Sequence, residues 1–149
     1  MKISNYQSIV LLRLKEIFPE SLFNYRINFR PDFLQNIKTE KNLEVDIFLS
    51  EKRYKDSIGN KPRTYRFGIE VQGEQHFFHV PKFKNSVINI QYNDLLKQDL
   101  AKKIGFPIIE IFYSEILKSM DILEILEDRI NTLPVKEQKI MARILSRVR

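Results

Sequence analysis

The sequence contains no cysteine. Disulfides, thiolate nucleophiles and cysteine-built zinc sites are excluded, so any metal must be held by carboxylate, imidazole or carbonyl groups. Oxygen donors favour magnesium or manganese. Glycine is scarce, at 4 of 149 residues, and none belongs to a Gly-rich phosphate loop, which disfavours nucleotide-dependent chemistry of that kind. No apolar run approaches the ~18–20 residues needed to span a bilayer, and no basic-then-apolar signal opens the chain. These absences predict a soluble, cytoplasmic protein with no membrane partner.

What is present suits one domain over residues 1–149. Hydrophobic residues make up 43% and charged residues 30%, enough to build a complete core under a polar surface. The formal net charge of +6 and a pI near 9.5 suit a polyanionic partner.

Apolar spacing predicts a first helix from Gln7 to Phe18, with Ile9, Leu12, Leu14 and Ile17 recurring and Pro19 ending it. Phe23 to Phe29 predicts an edge strand. Leu43, Val45, Ile47 and Leu49 alternate with Glu44 and Asp46, and Tyr65, Phe67, Ile69 and Val71 alternate with Gly68, Glu70 and Gln72, which predicts two strands joined by a long hairpin loop. Residues 73–90 show no period and predict a functional loop. A helix is expected from Tyr92 to Ile104, with Leu96, Leu100 and Ile104 on one stripe and Gly105 as its C-cap. Ile108 to Phe112 reads as a buried strand. Ser114 would cap a helix carrying Ile116, Met120, Leu123, Leu126 and Ile130 inward. Pro134 would open a last helix, with Ile140, Met141, Ile144, Leu145 and Val148 facing one way and Lys136, Lys139, Arg143 and Arg147 the other. An α/β sandwich around a mixed sheet follows from this order.

Asp46 and Glu70 stand in the middle of neighbouring strands, and a hairpin pairing points both carboxylates the same way. Two converging carboxylates make an oxygen site for a divalent ion beside a phosphate. The same alternation also suits ordinary acids on the wet face of an antiparallel sheet. Gln72 shares the Glu70 face, where its amide can meet a metal's water shell or a phosphate but cannot act as a base. On the helix, Asp94, Lys97, Gln98 and Ala101 share a face, so Lys97 can neutralise transition-state charge with Asp94 holding it, or the two form a plain local ion pair. His76 follows the second strand as a candidate general base, metal ligand or phosphate donor. With His79 it also suggests a zinc pair, but no third strong ligand is evident nearby. Lys52, Arg53, Lys55, Lys61, Arg63 and Arg66 beside the hairpin, with Lys82 and Lys84 in the following loop, are candidate phosphate contacts, and Phe77, Phe78 and Phe83 are candidate stacking rings.

Four pieces in order carry a resemblance: Val45-Asp46-Ile47-Phe48, then Ile69-Glu70-Val71-Gln72-Gly73-Glu74-Gln75-His76, then Asn93-Asp94 with Lys97, then Gly105-Phe106-Pro107-Ile108-Ile109-Glu110-Ile111. Together the pattern resembles the PD-(D/E)xK nuclease superfamily and, within it, the very-short-patch-repair-like (Vsr-like) endonucleases. The resemblance covers residues 43–115 and implies a restriction-endonuclease-like core, a four-stranded mixed sheet flanked by helices, with further C-terminal helices over 115–149. It implies magnesium- or manganese-dependent hydrolysis of DNA, with Asp46 and Glu70 as metal ligands, His76 assisting hydrolysis, and Asp94 and Lys97 supporting the site.

The departures from the pattern are specific. Gln72 stands where relatives carry lysine or an acid, so a replacement is expected from Lys97 on the helix. Gln7 is the nearest match to the position where a first-helix acid is common, with Glu16 a poorer candidate near the helix end, and Glu110 stands where many relatives have arginine. A second expectation therefore keeps the fold without the chemistry, as a degenerate protein that binds nucleic acid or a protein partner. A third is a homodimer through the apolar stripe of the last helix.

Overall fold

The structure, a computed structural model, describes residues 4–52, 65–73, 87–118 and 121–149. A four-stranded mixed sheet runs through it in the order β1 (Phe23–Phe29), β2 (Val45–Glu51), β3 (Arg66–Gln72), β4 (Ile108–Phe112). β1–β2 and β2–β3 are antiparallel, and β3–β4 are parallel. Antiparallel neighbours need only a hairpin, whereas the parallel pair needs a crossover, which α2 (Val87–Ile104) provides. The helix begins five residues before Tyr92, inside the stretch whose lack of period predicts a loop.

Both faces of the sheet are covered. On one, Ile47, Leu49, Phe67, Ile69, Val71, Ile109 and Ile111 pack against α1 (Asn5–Ile17), α3 (Tyr113–Leu117), α4 (Ile122–Ile130) and α5 (Val135–Val148). On the other, Phe48, Val45 and Ile108 form a smaller cluster with Leu34, Phe106 and Ala101 of α2. Two covered faces explain the unbroken apolar runs Ile47-Phe48-Leu49 and Ile108-Ile109, where a half-wet sheet would alternate strictly. Packing is tight at Gly68: a Cβ there would stand 2.8 Å from Val45 Cγ1 and 3.3 Å from the Phe106 ring.

Strict alternation also fails within β2. Ile47 joins the larger core and Val45 the smaller one, although the sequence pattern puts both on one face. Asn28 of β1, with φ of 49°, lies between the Ile27–Ile47 and Phe29–Val45 pairs. A left-handed residue there turns β1 at the position facing Asp46, and the next pair of side chains lands on the opposite surface.

The helices bury different stripes from those the apolar spacing suggests. In α1 the inward residues are Gln7, Val10 and Leu14, followed by Phe18, while Leu12 is 68% exposed. Among the described side chains of α2 the buried ones are Lys97 and Ala101, Leu100 packs partly buried against the smaller core, and Ile104 is 46% exposed. The helix expected after Ser114 is two helices, and Asp121 caps the second by accepting from the Leu123 N–H at 2.9 Å. Gly105 does end α2, with φ of +72°, and the Phe106 N–H returns to the Ala101 carbonyl at 2.9 Å. No described helix is long and apolar enough to cross a membrane.

Candidate functional site

The site lies where β2 begins and β3 ends. Ile47 pairs with Ile69, and one residue beyond them stand Asp46 and Glu70, so antiparallel register sets the two acids side by side. Their carboxylates cross-link the strands: the Val71 N–H donates to Asp46 Oδ2 at 2.8 Å, and the Asp46 N–H to Glu70 Oε2 at 3.4 Å. They do not decorate a wet face, because Glu70 is only 4% exposed and Asp46 half-buried beneath the crossover.

α2 supplies the counter-charge. Lys97 Nζ donates to Glu70 Oε1, with Lys97 8% exposed. Ala101 on the next turn packs in the smaller core, which lets the helix approach closely enough for the lysine to reach the sheet. Burial, together with the Asp46 carboxylate beside it, pushes the Glu70 carboxyl well above the usual carboxylate range despite the pull of Lys97. Burial alone would lower Lys97, but attraction from Glu70, then Asp46 and Asp94, outweighs it and raises the ammonium. The result is one buried cation held by acids from two strands and its own helix.

Gln72 follows two residues along β3, 4% exposed, and its Oε1 has no hydrogen-bond partner among the described residues. A buried carbonyl oxygen left unpaired is costly and points to something it accepts from or coordinates. Asp46, Glu70 and Gln72 would offer a divalent ion only oxygen donors, the chemistry that suits magnesium or manganese. Among the described residues no three histidines, cysteines or acids gather as a metal-holding group.

Other candidates fall in different places. Asp94 is half-buried and acts on Lys97 electrostatically. Lys52 and Arg66 mark the hairpin end of β2 and β3, the opposite end from Asp46 and Glu70, with Arg66 about 13 Å along its strand from Glu70. These two candidate phosphate contacts therefore stand away from the acids, because antiparallel strands carry their connecting loop away from the end where the acids meet. Arg53, Lys55, Lys61, Arg63, His76, Phe77, Phe78, His79, Lys82, Phe83 and Lys84 lie outside the described residues. Glu44 pairs with Arg30 at 3.2 Å as a surface ion pair.

Two residues that the sequence marks only as departures from the resemblance, Gln7 and Glu110, neighbour the acids. Gln7, which also forms a capping box with Ser4, donates from Nε2 to Asn28 Oδ1 at 3.3 Å, linking α1 to the residue across from Asp46. Glu110 is the register partner of Glu70 on β4 and accepts from Gln98 Nε2 at 3.1 Å. The sharing of one helical face by Lys97 and Gln98 was readable, but their separate carboxylate partners on β3 and β4 were not.

No family model matches the chain, and no solved structure matches it. A curated relative, "Uncharacterized protein 033L" of Invertebrate iridescent virus 3, is 34% identical over 117 residues, which cover 73% of this chain and 52% of the viral protein. The chain thus spans about half the length of the curated relative it matches.

Proposed function

We propose that this protein is a metal-dependent endonuclease of the restriction-endonuclease-like fold, similar to the Vsr-like branch of the PD-(D/E)xK superfamily, cutting DNA with magnesium or manganese. The observation that carries the reading is the contact of Asp46 and Glu70 across β2 and β3 with Lys97 Nζ bonded to Glu70. Support also comes from the mixed four-stranded sheet, whose parallel β3–α2–β4 unit brings a helix over the acids.

In this reading Asp46 and Glu70 hold the divalent ion, with Gln72 Oε1 as a neutral donor beside them. A bound ion of this kind supplies charge to a phosphoryl oxygen and acidity to a water. Lys97 sets a fixed positive charge next to the carboxylates, where it offsets the negative charge that builds on a phosphate under attack. Asp94 keeps that ammonium charged. The Val71 and Asp46 N–H groups orient the two carboxylates before any ligand arrives, so little reorganisation remains for binding. His76 assists as a proton carrier.

The test is cleavage of labelled duplex, branched and single-stranded DNA and of RNA, with magnesium, manganese or chelator. Metal-dependent cutting that disappears in both Asp46→Ala and Glu70→Ala is expected; activity retained in both variants would remove the assignment. Gln72, in place of a charged residue, favours a second reading: a nuclease-fold protein that binds nucleic acid without cutting it. Salt-sensitive binding with no cleavage under any metal selects that reading.

A further inference from the structure

The hairpin end of the sheet, away from the acids, carries a cavity of about 260 Å³ lined by Phe33, Tyr65, Arg66, Ile104, Phe106 and Ile140. It is smaller than the roughly 300–1,000 Å³ of sites for drug-sized ligands, a size suited to one ring system. Its walls are aromatic and aliphatic: Phe33 meets Phe106 edge-on at 5.1 Å, and Ile104 and Ile140 come from α2 and α5. The rim is cationic. The Arg66 guanidinium lies 4.2 Å over the Phe33 ring while the residue stays exposed. Exposed Lys136 brings its Cε within 3.2 Å of the Cβ position at Gly105, another lining residue. Lys103, in the last turn of α2, is exposed at the same end.

An apolar slot with aromatic walls and positive charges at its mouth matches one chemistry, a flat ring carried on an anionic backbone. We infer that this cavity is a second nucleic-acid contact, taking one unpaired nucleobase against its aromatic lining while Arg66 and Lys136 hold the flanking phosphates. The inference rests on the nucleic-acid reading above and extends it to a place separate from the acids. Arg66 stands four residues before Glu70 on β3, so a strand held here is anchored away from the cutting point, and the site selects substrates with an unstacked base.

Fluorescence titration with a single-stranded oligonucleotide carrying 2-aminopurine, in chelator so that the strand stays intact, tests it. The parent should quench the probe and bind it more tightly than an abasic strand of equal length and charge. Tyr65→Leu, which keeps apolar bulk, should weaken binding of the base-bearing strand by roughly five- to tenfold. It should also abolish the preference over the abasic strand and leave the salt dependence unchanged. Arg66→Gln should instead reduce the slope of log affinity against log salt by about 0.7, the loss of one phosphate contact. Melting curves of both variants confirm folding. If the parent binds or cuts DNA but shows no preference for the base-bearing strand, or if Tyr65→Leu behaves as the parent, the pocket inference is overturned and the nuclease reading stands. If the parent neither binds nor cuts any strand, both are overturned.

Discussion

Lys97 on α2 and Glu70 on β3, 27 residues apart in the chain, are bonded in the interior beneath the crossover helix. The pair ties α2 to the sheet at the level of Asp46, so the stability of the crossover and the charge of the site depend on the same two atoms.

Lys97→Met tests that dependence by keeping the side chain's length and removing its charge. Breaking one partner of a buried pair costs about 3–5 kcal/mol when the other stays charged. Without the ammonium, the Glu70 carboxyl rises still further above its ordinary value. A carboxyl whose folded pKa is raised contributes stability that is full below its unfolded value and is lost as pH climbs through the folded value. Thermal melts should therefore show a large loss at pH 8 and a much smaller one near pH 4. An equal loss at both would mean that Lys97 acts only through packing.

Asp46→Asn should separate stability from activity. The asparagine oxygen still accepts from the Val71 N–H, and the negative charge that pushes Glu70 upward is gone. We expect a gain of ~1 kcal/mol near neutral pH, which is ~2–4 °C for a chain of this size, and loss of metal-dependent cleavage. By the same sign argument the gain fades in acid, where Glu70 is protonated in both proteins. A variant that melts lower at pH 7 would contradict the charge repulsion.

Glu51 and Arg147 form a second buried pair, which fastens α5 to the end of β2 with the glutamate side chain 3% exposed. Arg147→Ala should cost ~3 kcal/mol or more. Arg149→Ala, which removes a half-exposed partner of Glu127, should cost under ~1 kcal/mol and less in high salt. Denaturant titrations of the two variants give the comparison, and equal costs would refute it.

Tyr25 donates its hydroxyl to the Phe18 carbonyl at 2.6 Å, linking β1 to the end of α1. Burial, and then the negative charge of Glu20, raise its pKa above the ordinary tyrosine value. The folded protein favours the protonated ring, so its contribution is complete below about pH 10 and is lost as pH rises beyond the unfolded value. In an alkaline absorbance titration one tyrosine fewer should ionise in step with the others, and Tyr25→Phe should remove that laggard at a cost of about 1 kcal/mol. An unchanged titration in Tyr25→Phe would count against it.

Much of the fold was legible because it rests on short-range rules. The edge strand Phe23–Phe29, the alternation around Asp46 and Glu70, and the glycine that ends α2 each follow from a few consecutive residues. The inward stripes of α1 and α2 were legible only in part. Apolar spacing identified Leu14 and Leu100, which do turn inward, but also Leu12 and Ile104, which are exposed, whereas Gln7 and Lys97 are buried with polar partners at Asn28 and Glu70. Spacing alone leaves a polar residue on the outer face until its partner is known, and here each partner is more than twenty residues away; only the resemblance points Lys97 toward the acids.

The sequence alone determined that two acids sit on adjacent strand segments, that no thiol can assist them, and that the chain is basic. Local propensity and composition suffice for those statements. Only the tertiary structure decided that a crossover helix covers the acids and lowers a lysine onto one of them. It also decided that the hairpin's flanking cations stand at the far end of the sheet, because strand direction, register and helix rotation are fixed by packing between distant residues.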